Sequence, residues 1–287
     1  MNIALIFAQH SRGGIGDRCY PILKKNSSLN VECFTFDQFD QIPRDFDLYL
    51  RLDDDDYGRA FPKDLHPYVW WVPDTHIKHS YRKIKANAAD CDYLMCFQKE
   101  GVETLKKEGF RNLYWVPASC DKALDYFKFI PFKERKWDAC FIGTTGKFSL
   151  RKVMLEKAKM NFVNSFIGQA SWEELPHYYA QARVSVNFSI NNDINMRTFE
   201  AMGAGALVVT NNIFNNGFED LFKDGEHLVT YKDITTHEFE DKIRYYLEHQ
   251  GEAEKIARNG FELVQEKHTY HNRLHEILAI IGKQVIL

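Results

Sequence analysis

Short apolar runs alternate with amphipathic stretches along the chain, and this alternation predicts strands separated by helices. In the first half, the runs that predict strands are residues 2–8, 30–36, 46–52, 68–73, 93–98 and 113–118. Several of these runs are apolar throughout, which is typical of strands that are covered on both faces of a parallel sheet. Residues 99–109 have a helical pattern and end at a glycine, as helices often do. This order predicts a doubly wound domain.

The alternation breaks at residues 119–137 and then restarts. Further strands are predicted over 137–143, 161–168, 184–190, 206–212 and 227–233, with helices over 149–160, 172–182, from 195 onward and through 236–281. We therefore predict an α/β chain of two Rossmann-like domains that face each other across a cleft. The predicted limits are 1–122, an interdomain crossing over 123–136, and 137–287, with the last helix a candidate to return to the first domain. In such sheets ligands bind beyond the carboxyl ends of the strands.

Composition narrows the class of protein. Of the 287 residues, 45% are hydrophobic and 27% are charged, which predicts a folded chain with a sizeable core. The net charge is −3 and no basic stripe is present, so nucleic acid is not expected as a partner. The six cysteines form no CxxC pair and are expected to be buried, reduced thiols. Because the pattern predicts neither a signal peptide nor a membrane span, we expect a cytoplasmic protein.

The most informative stretch is NFSINNDINMRTFEAMGAGALVVTNN, residues 187–212. It predicts a strand, a polar loop, a helix, a small-residue turn and a second strand. The helix N-terminus suits a phosphate, which Arg197 in the first turn could bind with two hydrogen bonds. Glu200, one turn later, could accept two hydrogen bonds from a ribose diol. An ordinary strand–helix–strand unit with a surface arginine and glutamate explains the pattern equally well.

A resemblance to a known family rests on RTFEAMGAGALVVTN, GFEDLFKDGEHLVTYKD and EKHTYHNRLHEIL. Residues 137–278 resemble the C-terminal domain of GT-B glycosyltransferases, most closely the group related to the CgeB spore-maturation enzymes and, beyond it, the family 4 type. The first half resembles the family only over residues 91–121. The resemblance implies the GT-B fold and transfer of a sugar from a nucleotide-sugar, a UDP-sugar, to an acceptor hydroxyl. It implies no metal and no cofactor, and it indicates neither the acceptor nor the oligomeric state.

The resemblance also implies roles for single residues. Glu200 would bind the nucleotide ribose, and Gly168 would lie beside the nucleobase. Six further residues would lie near the diphosphate or the base: Asn195, Met196, Arg197, Thr144, Lys147 and Arg151. Family 4 enzymes carry another glutamate eight positions before the ribose glutamate, where this chain has Asn192. The resemblance therefore assigns this chain neither the role of that carboxylate nor the retaining stereochemistry of the family 4 enzymes.

The stretch HSRGGIGD, residues 10–17, follows the first predicted strand. Its glycines, Gly13, Gly14 and Gly16, allow the backbone to approach a ligand closely. Family 4 enzymes have a Gly-Gly loop at this place, which faces the donor diphosphate. We predict a donor-binding loop here, with a plain strand-to-helix turn as the alternative.

Two candidate catalytic residues, Asp74 and His76, follow the strand predicted at 68–73. At the carboxyl end of that strand, either side chain could take a proton from an acceptor hydroxyl. We favour His76 over Asp74. The alternative is that both residues only form turns and caps, as polar residues after strands usually do.

The run Asp53–Asp56 could hold a divalent ion, as the Asp-x-Asp of GT-A glycosyltransferases does. In GT-A enzymes that motif follows the nucleotide-binding half, whereas here it precedes the nucleotide-like helix. We therefore interpret the run as a strand-end loop that either lines the acceptor side or is solvated. Two other functions stay open: a sugar-nucleotide 2-epimerase of GT-B fold, and a non-catalytic, degenerate GT-B nucleotide-binding module.

Overall fold

The computed structural model describes residues 1–9, 13–52, 57–122, 128–146, 149–283, 285 and 287. The chain divides into two compact units. The first unit is Met1–Pro117 with Tyr270–Leu287, and the second is Ala118–Thr269. Residues 118–122, which the sequence pattern assigns to the first domain, group with the second unit.

Strands and helices alternate as the sequence pattern predicts. The strands are β1 (Asn2–Ile6), β2 (Asn30–Phe34), β3 (Leu48–Leu52), β4 (Tyr68–Val72), β5 (Tyr93–Cys96), β6 (Leu113–Trp115), β7 (Trp137–Ile142), β8 (Ser165–Gly168), β9 (Ala182–Val186), β10 (Leu207–Asn211) and β11 (Val229–Tyr231). The helices are α1 (Ile15–Lys25), α2 (Lys78–Asn87), α3 (Lys99–Lys107), α4 (Leu150–Asn161), α5 (Leu175–Ala180), α6 (Met196–Gly203), α7 (Phe218–Leu221), α8 (Glu238–Glu248), α9 (Gln250–Lys267) and α10 (Tyr270–Ile280). Short 3-10 helices cover Phe36–Gln41, Ala88–Asp90 and Phe132–Glu134.

Each unit contains one parallel sheet. The strand order is β2-β1-β3-β4-β5-β6 in the first unit and β11-β10-β9-β7-β8 in the second. Every residue of β3 and β4 is buried, as expected for strands that helices cover on both faces. The chain order reverses between β1 and β3 in the first sheet and between β7 and β9 in the second. Such a switch point opens a crevice beyond the carboxyl ends of the two strands, where ligands of doubly wound sheets bind.

Each sheet has its own apolar core. In the first unit, Trp70 and Trp71 of β4 are fully buried, so both tryptophans belong to the core. In the second unit, Phe141 of β7 and Val184 of β9 are fully buried with residues of α4, α8 and α9. Each unit therefore buries enough apolar surface to hold the strand ends of its own sheet in fixed positions.

All six cysteines are free thiols, and four of them are buried. The expectation of reduced thiols is therefore confirmed, although Cys33 and Cys91 are only partly buried. Over the residues that the structure describes, no helix combines the length and the apolar character needed to cross a membrane.

Candidate functional site

The segment between β9 and α6 lies at the switch point of the second sheet. Asn195 caps α6, because its side-chain oxygen accepts a hydrogen bond from the backbone N–H of Thr198 at 3.3 Å. The backbone of Asn195 is extended, as is usual for a residue that caps a helix N-terminus. The predicted helix start is therefore confirmed. The N–H groups of a first helical turn lack intrahelical partners and, with the helix dipole, favour an anion.

Arg197, in the first turn of α6, bridges the ends of the two strands at the switch point. Its Nε donates to the carbonyl oxygen of Ile142, the last residue of β7, at 2.9 Å. Its Nη1 donates to the side-chain oxygen of Asn187, the residue after β9, at 2.8 Å. The guanidinium also lies 4.2 Å from the ring centroid of Phe141. These contacts fix the guanidinium in the crevice through neutral groups, which leave its positive charge uncancelled.

Arg151 of α4 brings a second guanidinium to the same place. Its Nε and Nη2 donate to the carbonyl oxygen of Phe188 at 3.1 and 2.9 Å, and its Nη1 donates to that of Thr144 at 3.2 Å. Burial and, after it, repulsion from Arg197 lower the pKa of Arg151 to about 10, and the charge of Asp193 opposes this change. Two half-buried cations that repel each other form a site that an anion would stabilise.

Asn187 was not identified from the sequence. It is fully buried directly after β9 and makes hydrogen bonds with both Arg197 and Asn195. Its side-chain nitrogen donates to the hydroxyl groups of Thr198 and Thr210 at 3.3 and 3.0 Å. The one signal in the sequence is a polar residue at the end of the apolar strand VSV, which many strand ends share.

Asn192 has a structural role in the loop before α6. Its backbone is left-handed, with φ at +59°, a conformation that asparagine tolerates better than most residues. Its side-chain amide donates to the carbonyl oxygen of Phe214 at 2.6 Å and accepts from the N–H of Phe214 at 2.8 Å. The next residue, Asp193, is buried and accepts a hydrogen bond from the hydroxyl of Ser189 at 2.9 Å. The amide of Asn192 therefore ties this loop to the segment after β10.

The other predicted residues of α6 are partly exposed. Met196 begins the helix and Glu200 lies one turn further along it. The phenol of Tyr179 lies close to Arg197 and Glu200, and burial keeps its pKa well above the ordinary value. Glu200 is therefore on the same helix as Arg197, about one turn from the basic crevice.

The loop after β7 contributes backbone to the same crevice. Gly143 has φ at +137°, and a Cβ atom added there would lie 2.6 Å from Nη2 of Arg197. Its N–H donates to the carbonyl oxygen of Gly168, the last residue of β8, at 2.9 Å. The side chain of Thr144 is exposed. Gly143 was not among the predicted residues. A side chain at this position would collide with Arg197, so the position of Arg197 requires a glycine here.

Two predicted site features fall outside the described residues, as do residues 123–127 of the predicted interdomain crossing. Lys147, predicted near the phosphates, is one of them. The other is the run Asp53–Asp56, which follows β3 in the chain.

In the first unit, the predicted glycines surround the start of α1. Gly13 has φ at +68°, and its carbonyl oxygen accepts from Nε of Arg18 at 3.1 Å. Gly14 is the residue that precedes α1 as its N-cap. A Cβ atom at Gly16 would lie 2.1 Å from the ring of Phe7, so this glycine permits the helix to pack on the segment that follows β1. The predicted contact of these glycines with a donor stays a prediction.

The two candidate catalytic residues follow β4, at the carboxyl edge of the first sheet. Asp74 is partly buried and accepts a hydrogen bond from the hydroxyl of Tyr57 at 2.8 Å. His76 is also partly buried, and its Nδ1 atom is buried without a hydrogen-bond partner in the part of the chain that the structure describes. The placement at a strand end is as predicted, and the catalytic role stays a prediction.

Comparison with known proteins adds three findings. Residues 145–279 match a family model described as glycosyl transferase-like. No curated protein matches the chain. Three solved structures are similar to it over nearly their whole length, at low sequence identity.

One of these structures is Anabaena HepE in complex with UDP and glucose, with 11% identity and a TM-score of 0.70, covering 98% of this chain and 99% of that chain. An α-glucosyltransferase in complex with UDP-glucose and DNA has 10% identity and a TM-score of 0.69, covering 99% and 100%. The lipopolysaccharide outer core galactosyltransferase WaaB, in its apo form, has 15% identity and a TM-score of 0.60, covering 97% and 99%. The chain therefore has the GT-B fold.

Proposed function

We propose that the chain is a glycosyltransferase that moves a sugar from a UDP-sugar to an acceptor hydroxyl, without a metal ion. The observation that carries the proposal is the pair of guanidiniums, Arg151 and Arg197, beside the N-terminus of α6 at the switch point of the second sheet. Both arginines lie within the segment that matches the glycosyl transferase-like family. The subgroup related to CgeB is part of the proposal.

The proposed reaction breaks the bond between the anomeric carbon of the sugar and an oxygen of the diphosphate. Negative charge then develops on the leaving diphosphate. Arg151, Arg197 and the helix dipole stabilise this charge more strongly in the transition state than in the ground state. The two guanidiniums repel each other most strongly when no anion is bound. A bound diphosphate therefore reduces an unfavourable electrostatic energy of the folded chain. Lys147 is proposed as a third cation.

The choice of donor is supported by the neighbouring structures. HepE has been solved with UDP and with UDP-glucose, and the α-glucosyltransferase with UDP-glucose. We propose that Glu200 binds the ribose diol and that Gly168 lies beside the base. Asn195 and Met196, at the start of α6, are assigned to the diphosphate, with Thr144 beside it.

We assign activation of the acceptor hydroxyl to His76, with Asp74 as the second candidate. Because Nδ1 of His76 is buried, Nε2 is the ring nitrogen that we propose to accept the proton that the acceptor loses. Asp74, in contrast, already accepts a hydrogen bond from Tyr57. Gly13, Gly14 and Gly16 are proposed to line the donor, and the free thiols support a cytoplasmic location.

The first test is binding of UDP, GDP and ADP, each compared with its own nucleoside, by calorimetry with and without EDTA. We expect UDP to bind most tightly and EDTA to have no effect. Arg197→Ala should weaken UDP binding by about ten- to one-hundredfold, since a hydrogen bond to a charged group contributes ~1.5–3 kcal/mol. Glu200→Ala should weaken both UDP and uridine, because both carry the ribose.

Arg244→Ala is the matched control. Arg244 is exposed, and its Nη1 pairs with Asp241 on the same helix. Its replacement should leave UDP affinity unchanged. UDP affinity that is equal in wild type, Arg197→Ala and Glu200→Ala would contradict the proposal.

Product analysis separates the alternatives. Conversion of a UDP-sugar into its 2-epimer without any acceptor would indicate an epimerase. Binding of UDP without hydrolysis or transfer, over a broad set of acceptors, would indicate a non-catalytic module.

A further inference from the structure

We propose that Asn187 is a positioning residue, whose side-chain oxygen holds the guanidinium of Arg197 toward the donor diphosphate without cancelling its charge. The inference rests on the proposed function, because it concerns how that site binds diphosphate. No feature of the sequence assigns this role to Asn187.

The first observation is that the side chain of Asn187 is fully used. Its oxygen accepts from Nη1 of Arg197 at 2.8 Å and from Nδ2 of Asn195 at 3.4 Å. Its nitrogen donates to the hydroxyls of Thr210 and Thr198 at 3.0 and 3.3 Å. A carboxamide can donate two hydrogen bonds and accept two, so no capacity is left for a ligand. Asn187 therefore acts through its neighbours.

The second observation is that Asn187 is held in place by the sheet. The residue is fully buried, and its N–H donates to the carbonyl oxygen of Val209 in β10 at 2.9 Å. Its carbonyl oxygen accepts from the hydroxyl of Tyr231 in β11 at 3.0 Å. Three neighbouring strands thus fix the oxygen that binds Arg197, which gives the guanidinium a defined orientation before any ligand arrives.

The third observation is that the partners of Arg197 are neutral. The guanidinium donates to an amide oxygen of Asn187 and to the carbonyl oxygen of Ile142, and it lies over the ring of Phe141. A carboxylate in place of the amide would orient the guanidinium equally well, but it would offset the charge that attracts a phosphate. An asparagine at position 187 therefore orients the guanidinium of Arg197 and leaves its positive charge available to a phosphate.

Asn187→Asp tests this directly, because aspartate has nearly the same size and shape as asparagine. The hydroxyls of Thr198 and Thr210 can rotate to donate to the new carboxylate, so the fold should be kept. The measured quantity is the ratio of the uridine and UDP dissociation constants, which reports the contribution of the diphosphate. We expect this ratio to fall about tenfold or more, through weaker UDP binding with uridine binding unchanged.

Thr210→Val is the matched control. It removes a hydroxyl from the other side of the same amide and leaves the bond between Asn187 and Arg197 in place. We expect a lower melting temperature with the uridine-to-UDP ratio of wild type. If Asn187→Asp does not fold, Asn187→Ser replaces it, and a several-fold fall in the ratio is expected because Arg197 loses its anchor.

The outcomes are distinguishable. Wild type that fails to bind UDP, GDP and ADP overturns the proposed function together with this inference. If the wild type binds UDP and a variant at position 187 keeps the wild-type ratio of uridine and UDP dissociation constants, only the role of Asn187 is overturned. A loss of UDP and uridine affinity by the same factor in that variant indicates a purely structural residue and also overturns it.

Discussion

At the scale of single residues, the partners of a charged group decide what it can do. Arg197 and Arg244 are both arginines of the second unit. Arg244 is exposed and pairs with a carboxylate, whereas Arg197 is held by neutral oxygens and a ring. The sequence predicted Arg197 from its place in a helix start. It could not predict Asn187, because the role of that residue depends on contacts with segments that are distant in the sequence.

His66 gives a prediction of pH dependence at the same scale. Its Nδ1 lies 2.7 Å from a carboxylate oxygen of Asp92, and its Nε2 lies 2.6 Å from the carbonyl oxygen of Lys63. Both partners can only accept hydrogen bonds, so the geometry favours the doubly protonated ring. The hydrogen bond to Asp92 is the largest of the effects that raise the pKa of His66 above its ordinary value of 6.5.

Because the folded-state pKa is the higher one, the stabilisation by His66 is complete below the unfolded pKa and is lost as pH rises through the folded pKa. We therefore expect the difference in unfolding free energy between wild type and His66→Ala to shrink as the pH rises above the ordinary pKa of 6.5 and through the higher folded-state pKa. Both side chains are partly exposed, so the effect should be small. Chemical denaturation at several pH values measures it, and a difference that does not change with pH would speak against the pair.

At the scale of elements, strands and helices were predicted well and their ends less well. The apolar run at 113–118 predicts a long strand, but β6 covers only Leu113–Trp115. Among the strands that the structure describes, β6 lies at the edge of its sheet and pairs with β5 alone, so its length depends on that one neighbour. The start of α6 was predicted correctly because a capping asparagine marks it in the sequence itself.

The start of α1 allows a prediction for its packing. Gly16→Ala should lower the unfolding free energy by ~1–3 kcal/mol, because the added Cβ atom would lie 2.1 Å from the ring of Phe7. Gly14→Ala is the control: its Cβ atom would meet only Asp17, at 3.7 Å, and we expect a smaller loss. Thermal and urea unfolding of both variants measure the difference. Equal stability of the two would mean that the helix can move away from Phe7 without cost.

At the scale of the whole molecule, the two units do not follow one another as two continuous stretches of the sequence. α10 comes after the whole second unit, yet it belongs to the first. Nε of Arg273 donates to the carbonyl oxygen of Pro117 at 2.8 Å, and the ring of Tyr270 lies 6.5 Å from that of Trp71. The first unit is therefore complete only when α10 has packed on residues 1–117.

Leu274→Ala tests this dependence. Leu274 is fully buried on α10, so its truncation should destabilise the first unit by ~2–5 kcal/mol. UDP affinity should stay near the wild-type value, because the cations proposed to bind the diphosphate, Arg151 and Arg197, belong to the second unit. Val163→Ala, at a residue that is 96% exposed, is the control and should change stability by less than ~0.5 kcal/mol. A loss of UDP affinity in Leu274→Ala that matches its loss of stability would contradict the separation.

The sequence by itself determined the elements: the alternation of strands and helices, the start of α6, and the presence of Arg197 and Glu200 on that helix. These features follow from periodicity and capping, which act over a few neighbouring residues. The tertiary structure decided the strand order, and with it which strand ends meet. Arg151, Asn187 and Arg197 come together because β7 and β9 are neighbours, although β8 lies between them in the chain. Such contacts depend on the packing of distant segments, which local patterns do not encode.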